Sequence, residues 1–400
     1  MIKYYSPHLS LRVIFNPKDG EQFVIDYFKK HTGKNYILLT SSCRSALYLT
    51  YKALGVEGEV LTTPLTCEVG ILPIIHSGNK PVFIDINKST LNIDETLIPS
   101  NINKSTIALQ LIHIRINPFK IKKKKKNIPD NIVLIEDCAQ AFGAKFNNKN
   151  MGTYGDVSCF SLTKNLFGIA GGVLATNNYE IYHKARLIQN KFPLVSSKFL
   201  YYRIVRNYLE TKKHLSFYNF LYKLLFKIKS KSTATKANEF LYPVKNYLVR
   251  PKQIIFRISS FQLKKSNYFL SKRKKIAHGL IEKIALIPNV QVQKLIVKNA
   301  ENAYCKLYIY SPLFTKNTIL ELNQNGIEAK HLEQDYEKYF QEKFTTKKEY
   351  QKYESLQKCN NYNILHDKII SLPLHESLTP KEIDKVIRIL QEMNNSKKHA

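Results

Sequence analysis

Short apolar runs alternate with helical or turn-rich segments through the first half of the chain, and this alternation restricts the fold most. The runs are NYILLT (35–40), GEVLTTP (58–64), KPVFIDI (80–86), TIALQLI (106–112), NIVLIED (131–137), DVSCFSL (156–162) and GGVLATN (171–177). Several are apolar on consecutive residues, which is typical of strands covered on both faces. The pattern predicts an α/β fold with a mostly parallel central sheet, whose ligands bind beyond the carboxyl ends of the strands.

Size and cysteine usage indicate a folded protein of the cytoplasm. The 400 residues, of which 44% are hydrophobic, are enough for a large core and more than one domain. No apolar run approaches the ~18 residues of a membrane span, and the polar start of the chain is unlike a secretion signal. The six cysteines include no C-x-x-C pair, which favours free thiols in a reducing compartment over disulfides or a metal site.

The charge balance is strongly basic, with 62 Lys and Arg against 31 Asp and Glu and a net charge of +31. Such an excess can attract nucleic acid, an anionic membrane or phosphorylated ligands. A genome with biased composition explains it equally well. The five consecutive lysines at 122–126 predict a solvated loop, because like charges repel. No nucleic-acid-binding motif accompanies them, so nucleic acid is an unlikely partner.

Changes in composition divide the chain into three parts. Residues 1–194 hold the α/β pattern, residues 195–254 form a basic, aromatic-rich helical insertion, and residues 255–400 have the mixed pattern of a smaller α+β domain. In the insertion, apolar residues recur at helical spacing at Phe217, Leu221, Leu224 and Ile228. A basic amphipathic helix can lie on the inner face of an anionic membrane. The alternative, which the pattern favours, is that its apolar stripe packs on this protein or on a twin subunit.

The stretch TSSCRSALYL (40–49) predicts a strand end followed by a capped helix start. Ser41 or Ser42 can cap the helix, and the free amides of a helix start attract anions. Arg44 in the first turn adds a bidentate donor suited to phosphate. Taken alone this signal is weak, because most capped helix starts bind nothing.

IEDCAQAFGA (135–144) places Glu136 and Asp137 at the end of an apolar strand, where a buried carboxylate needs a partner. That partner could be an arginine, a metal or a protonated ring nitrogen. A metal is unlikely, because no histidine or second carboxylate stands nearby at ligand spacing. Gln140 can follow Asp137 into the same pocket.

Lys164 stands alone in the uncharged run CFSLTKNLFGIAGG (159–172). An amine that forms an imine needs a lowered pKa, which apolar neighbours such as Leu162, Leu166 and Phe167 would favour. An anion site, a strand-end carboxylate and a strand-end lysine in this order match the phosphate, ring nitrogen and aldehyde of pyridoxal phosphate.

With these residues the chain resembles the DegT/DnrJ/EryC1/StrS family of pyridoxal-phosphate-dependent sugar aminotransferases of fold type I. The resemblance covers most of the chain and lies in SSCRSALYLTYKALGV (41–56), GNKPVFIDINKSTLNID (78–94), the block 135–178, RISSFQLKKSNYFLSKRKKIA (257–277) and SLPLHESLTPKEIDKVIRIL (371–390). It implies a large α/β domain and a smaller α+β domain in a homodimer. It also implies amino transfer, usually from glutamate, to a keto group of a nucleotide-linked deoxysugar in polysaccharide or metabolite biosynthesis.

The resemblance implies a role for each site residue. Lys164 would hold the cofactor covalently and then move a proton, while Asp137 would pair with the ring nitrogen and Gln140 would contact the ring's hydroxyl side. The amides of Arg44 and Ser45 would hold the phosphate. Relatives that dehydrate instead carry histidine in place of this lysine, so Lys164 favours amino transfer.

Four departures from the family pattern motivate a second hypothesis. Cys43 and Arg44 replace Gly-Thr, Cys159 replaces a phosphate-binding serine, a role that Ser161 could take, and PLTCEVG (64–70) lacks the usual aromatic residue. Ile255 stands where the family offers an asparagine to the neighbouring subunit. The chain could therefore be a non-catalytic or regulatory relative, docked on a membrane or a biosynthetic partner through its basic segment.

Overall fold

The computed structural model describes residues 2–3, 9, 20–113, 128–166, 168–212, 215–222, 224–225, 247–292, 297–315, 317–331 and 355–396. The lysine run at 122–126 lies outside these residues, as do Phe167 and Ile228. Among the described helices, none combines the length and apolarity needed to cross a bilayer.

The large domain alternates helices and strands, as the sequence predicts. Its helices are α1 (Gly20–Thr32), α2 (Cys43–Ala53), α3 (Glu68–His76) and α4 (Tyr179–Asn190). Its strands are β1 (Tyr36–Thr40), β2 (Glu59–Thr62), β3 (Lys80–Phe83), β4 (Thr106–Ile112), β5 (Val133–Asp137), the two-residue β6 (Lys145–Phe146) and β7 (Lys149–Asn150), β8 (Val157–Ser161) and β9 (Gly172–Thr176). Each of the seven predicted apolar runs contains one strand.

The central sheet has seven strands in the order β1-β9-β8-β5-β4-β2-β3. The four pairs from β8 to β3 are parallel, and β9 is antiparallel to both of its neighbours. Since β9 is antiparallel to both β8 and β1, these two strands run in the same direction. Strand β1 therefore ends at the same edge of the sheet as β2, β4, β5 and β8. The residues that follow these five strands therefore meet at one edge of the sheet. The fold is the predicted mostly parallel α/β class.

The remaining described elements follow in chain order. The helices are α5 (Ser197–Thr211), α6 (Ser216–Tyr222), α7 (Gln253–Lys264), α8 (Ser266–Ile284), α9 (Thr318–Gln324), α10 (Asn360–Leu365) and α11 (Pro380–Ser396). The strands are β10 (Gln291–Val292), β11 (Ala300–Glu301), β12 (Leu307–Tyr310), β13 (Lys330–His331) and β14 (Ile369–Leu372). Four of them form an antiparallel sheet in the order β10-β12-β14-β13. This α+β arrangement matches the prediction for the C-terminal part.

Packing shows which elements share a core. Helix α7 contributes Ile255, Phe256 and Ile258 to the cluster that holds Phe28 of α1 and Phe160 of β8. The core of the C-terminal part begins in α8 and runs through β12, β14 and α11. Helix α7 therefore packs with the large domain, although the proposed boundary at 254/255 places it in the smaller one. The three-part division of the chain stays a prediction.

The described part of the basic segment is largely helical, and it buries Leu200, Leu209 and Tyr222 but leaves other apolar residues exposed. Phe217 and Phe220 of α6 are 65% and 61% exposed, and Leu224 is 49% exposed. Among the residues that the structure describes, this chain does not cover the predicted stripe, so packing of the stripe within one subunit is not observed.

Candidate active site

A cavity of about 470 Å³ opens at the carboxyl edge of the central sheet. Its volume lies in the ordinary range for small-molecule sites. The side chains predicted at this edge meet in its wall. The cavity is lined by Ser42, Arg44, Asp137, Gln140, Ser161 and Lys164, and also by Cys43, Thr66, Cys67, Glu68, Gly70, His113, Thr163, Lys306 and Lys330.

The start of α2 forms one end of the cavity. The Ser42 side chain caps the helix and accepts a hydrogen bond from the Ser45 amide at 3.1 Å. Gly172 permits the close passage of β9, because a Cβ there would lie 2.3 Å from the Ser42 carbonyl carbon. Ser45 itself is buried and does not line the cavity, and its amide donates to the cap. The turn that precedes Ser45 therefore forms the cavity side of the α2 N-terminus, the end of a helix that attracts anions.

Arg44 lies beside an aromatic contact that the sequence did not predict. Its guanidinium carbon lies 5.1 Å from the centre of the Tyr247 ring, a cation–π distance. The Tyr247 hydroxyl bonds Nδ1 of His76, and its carbonyl accepts from the Ser41 hydroxyl at 3.1 Å. Burial and then the Arg44 charge lower the pKa of His76. These contacts fix Arg44 at the mouth of the cavity.

Asp137 ends β5 and faces the cavity from a buried position. Its Oδ1 accepts from the Ala139 amide at 3.0 Å and from the Cys43 thiol at 3.7 Å, and its Oδ2 accepts from Gln110 at 3.4 Å. Burial raises the pKa of the Asp137 carboxyl, against the lowering effect of the Ala139 amide. A cation placed in the cavity would stabilise its ionised form.

The neighbouring acid, Glu136, points to the other face of the strand and is structural. Its oxygens accept backbone amides of Gly152, Tyr154 and Gly155 at 3.0, 2.8 and 2.5 Å. The His113 ring lies 3.1 Å away. Burial alone would raise the pKa of Glu136, but the hydrogen bond and charge of His113 lower it below its usual value.

The sequence argument against a metal was that no histidine stands near the carboxylates. The structure contradicts this premise, because His113 lies beside Glu136. The ligand atoms of His113, Glu136 and Cys138 lie within 4.8 Å of one another. However, the oxygens of Glu136 already accept three amides and contact His113, and burial raises the pKa of the Cys138 thiol well above its usual value. A protonated thiol and a saturated carboxylate are poor ligands.

Lys164 follows β8 and reaches the cavity from a half-buried position. The apolar residues expected to surround it, Leu162 and Leu166, belong instead to the core cluster behind the strand. Ser161 faces the cavity, and its hydroxyl lies 3.0 Å from that of Thr163. Cys159 is buried against Thr50 at 3.6 Å and does not line the cavity. Of these two candidates, Ser161 is the one placed to contact a ligand.

Gln140 joins the two domains across the cavity. Its Oε1 accepts a hydrogen bond from the Tyr308 hydroxyl of β12 at 3.2 Å. Its carbonyl accepts from the side-chain amide of Asn165, the residue after Lys164, also at 3.2 Å. The structure thereby links the positions of Gln140 and the Lys164 loop.

Two other departures noted from the sequence have distinct locations. Cys67 and Glu68, at the start of α3, line the cavity where an aromatic residue was expected. Ile255 is fully buried in α7, close to Gly171, where an added Cβ would lie 2.9 Å from the Ile255 side chain. A residue in this position is not available to a neighbouring subunit.

The fold and this cavity define an α/β protein with an anion site, a buried carboxylate and an amine at one sheet edge. A sequence model of the DegT/DnrJ/EryC1/StrS aminotransferase family matches residues 21–201 and 225–391. The chain therefore belongs to this family, whose members depend on pyridoxal phosphate.

Named relatives add detail. GDP-perosamine synthase of Escherichia coli O157:H7 is 32% identical over 162 residues, which are 39% of this chain and 44% of that protein. The chain thus matches less than half the length of this relative. Among solved structures, Helicobacter pylori PseC, an aminotransferase involved in the biosynthesis of pseudaminic acid, has a TM-score of 0.73 at 19% identity over 99% of both chains. Escherichia coli GDP-4-keto-6-deoxy-D-mannose-3-dehydratase with bound hydrated PLP has a TM-score of 0.69 at 23% identity over 98% of this chain and 100% of that one. These structural likenesses establish the fold.

Proposed function

We propose that the protein is an aminotransferase that uses pyridoxal phosphate to move an amino group from an amino acid, glutamate being the expected donor, to a keto group of a nucleotide-linked deoxysugar. The observation that carries the proposal is the convergence of Arg44, Asp137 and Lys164 on one cavity of about 470 Å³. This convergence supports the family role of each residue. The products would serve polysaccharide or glycosylated-metabolite biosynthesis, as the family resemblance implies.

The donor set of the cavity fits the cofactor. The α2 start with Arg44 and Ser161 suits a phosphate, and Asp137 suits a protonated ring nitrogen because its carboxyl is buried and oriented by three donors. When bound, pyridoxal phosphate supplies an aldehyde and an electron-withdrawing ring. Lys164 is the amine that would hold it covalently.

The protein's own groups would then perform the remaining tasks. The Gln140 amide, fixed by the Tyr308 hydroxyl, would donate to the ring's hydroxyl side. Lys164, once released, would move a proton at the donor carbon, since it lies on a loop at the cavity wall. His113 and Glu136 brace the end of β5 and keep Asp137 in place. Ser45, which lies behind the cap, would contribute to phosphate binding only by shaping the helix start.

Dehydration and a non-catalytic or regulatory role are the alternatives to amino transfer. Lys164 favours amino transfer over dehydration, because the resembling dehydratases carry histidine there. The regulatory alternative rests on the four departures at Cys43-Arg44, Cys159, Cys67 and Ile255. Of these residues, Cys43, Arg44 and Cys67 still line the cavity. We therefore favour the enzyme.

The quaternary state and location are part of the same proposal. The protein would act as a cytoplasmic homodimer, with the exposed face of α6 at or near the subunit contact. A peripheral contact of this basic segment with the inner face of an anionic membrane is the alternative use of the same surface. Nucleic acid is not proposed as a partner.

The visible spectrum of the purified protein with pyridoxal phosphate tests the enzyme hypothesis. We expect a near-visible absorption band that is absent in Lys164→Ala and bleaches when glutamate is added. Lys149→Ala, which removes an exposed lysine of β7, is the matched control and should keep the band. If the unaltered protein shows no band at saturating cofactor, the proposal is wrong.

A further inference from the structure

Two lysines on the cavity wall have no part in the roles above. Lys306 precedes β12 and Lys330 begins β13, and both line the cavity opposite the central sheet. Sheet register places them on one face. Tyr308 pairs with Ser371, and Ser371 pairs with Lys330, so these three residues form one row across the sheet. Lys306 lies two residues before Tyr308, directly before β12, and its place in the cavity lining puts it on the same side.

This face of the sheet is directed toward the cavity, because the Tyr308 hydroxyl donates to Gln140, which lines the cavity. Strand β14 separates β12 from β13, which puts Tyr308 and Lys330 roughly 10 Å apart. Lys306 stands two residues before Tyr308, so the backbones of the two lysines lie roughly 12 Å apart. Lysine side chains can close this distance around a single small anion. The Lys330 ammonium also lies 3.6 Å from Glu328, which orients this half-exposed side chain.

The cavity lining carries more cations than acids. It has four side chains that are fully charged cations, namely Arg44, Lys164, Lys306 and Lys330, against two acids, Glu68 and Asp137. Cofactor binding would use Arg44, Lys164 and Asp137. Burial lowers the pKa of Lys330 against the opposing effect of Glu328, and the positive charges of Lys306 and Lys164 lower it further. The three amines are thus close enough to repel one another, and an anion between them would relieve the repulsion.

We propose that Lys306 and Lys330 form an oxyanion subsite that binds the carboxylate or phosphate group of an incoming substrate beside Lys164. This inference rests on the proposed function, which supplies two sources for that group: the carboxylate of the amino donor and the diphosphate of the nucleotide sugar. The closeness to Lys164 favours the donor. In an amino acid, the α-carboxylate is bonded directly to the carbon whose amino group is transferred.

Calorimetric titration of the cofactor-loaded protein with 2-oxoglutarate, and separately with UDP, tests the subsite. Each of K306Q and K330Q should weaken the binding of one probe about ten-fold, because a charge-assisted hydrogen bond is lost. The exposed-lysine variant K149Q removes the same charge away from the cavity and should bind both probes as the unaltered protein does. A selective loss for 2-oxoglutarate identifies the donor carboxylate, and a selective loss for UDP identifies the diphosphate.

Unchanged affinity for both probes in the K306Q/K330Q double variant would overturn the subsite, as would an equal loss in K149Q. The absorption band with pyridoxal phosphate is recorded first, so that the two hypotheses fail separately. If the band is absent, the proposed function fails. A loss of anion affinity in K306Q and K330Q, measured on protein without cofactor, would still support the subsite.

Discussion

Glu136 and Asp137 are adjacent acids with opposite surroundings, because successive residues of a strand point to opposite faces. The Glu136 carboxylate is surrounded by backbone amides and His113. Asp137 has one oxygen directed to Gln110 and faces the cavity. One residue thus maintains the strand end, and the other is available to a ligand. Substituting each acid by its amide separates the two roles.

We predict that Asp137→Asn unfolds with a free energy within ~1 kcal/mol of that of the unaltered protein. Its kcat should fall roughly 10²–10³-fold, because a preorganised charge is lost from the cavity. Glu136→Gln should instead lose about 3 to 5 kcal/mol, because an amide nitrogen would then face backbone donors and His113 would lose its ion pair. Urea unfolding and steady-state kinetics on both variants measure this. Equal stability in the two variants would contradict the assignment.

The sequence predicted the site residues that follow strands, and missed those that tertiary packing adds. Arg44, Asp137 and Lys164 were found because each lies just after an apolar run. His113 follows β4 in the same way and could have been found by that rule. Lys306 and Tyr247 could not be found by this rule. Lys306 reaches the cavity through the docking of the C-terminal sheet, and Tyr247, near the end of the 195–254 segment, contacts Arg44 through the packing of that segment.

At the scale of elements, helix α8 is tied to the Lys164 loop by a buried ion pair. Arg273 of α8 donates to Glu376 at 3.0 Å and to the carbonyl of Asn165 at 3.3 Å. Asn165 in turn donates to the Phe142 carbonyl at 2.7 Å. The C-terminal domain therefore helps to position the residue that follows Lys164.

Arg273→Met should lower the unfolding free energy by about 3 to 5 kcal/mol, since it leaves Glu376 buried without its cation. Arg273→Met/Glu376→Met should recover part of this loss, because neither charge remains buried. The surface pair of Lys283 and Asp384, at 2.6 Å, provides the control, and Lys283→Met should change stability by ~1 kcal/mol or less. Chemical denaturation measures all three variants. A double variant less stable than Arg273→Met would argue against this account.

Strand positions were predictable because buried parallel strands have continuous apolar runs, as in β4 and β5. The sequence pattern of 258–284 is continuously helical, but the structure divides this stretch between two helices, α7 and α8, with the break at Lys265. Glycine and proline, the usual signals of a break, are absent there. The break follows from tertiary packing, since α7 lies against α1 and α8 enters the C-terminal core. Strands of two residues, such as β6, have no periodicity to detect.

At the scale of the whole molecule, His31 makes stability depend on pH. Its ring stacks on Phe142 at 5.2 Å and lies edge-on to Phe160 at 5.7 Å. Its Nε2 is buried and has no hydrogen-bond partner among the residues described. Burial lowers the pKa of His31 to about 4, against a small raising effect of a Met151 backbone hydrogen bond. The folded protein therefore holds this histidine neutral.

Because the unfolded state binds a proton at His31 more readily, stability should fall as the pH drops from about 6.5 to about 4. The loss from this residue is about 3 kcal/mol. His31→Phe should flatten this part of the stability profile, whereas His183→Phe, at an exposed position of α4, should leave it unchanged. Urea unfolding across this pH range is the measurement. An equally steep profile in His31→Phe would assign the effect to other groups.

The exposed aromatic rings of α6 indicate a surface that could be covered in a homodimer. Exposed fractions of 65% for Phe217 and 61% for Phe220 are large for aromatic side chains of a monomer surface. If they lie at a homodimer contact, the protein should sediment at twice its 46.4 kDa, and Phe217→Ser/Phe220→Ser should shift it toward the monomer. Leu286→Ser, which removes an 80% exposed side chain elsewhere, should not. A dimer that persists in the double variant would exclude this contact. Flotation with anionic vesicles that the double variant loses, without a change in mass, would assign the surface to a membrane instead.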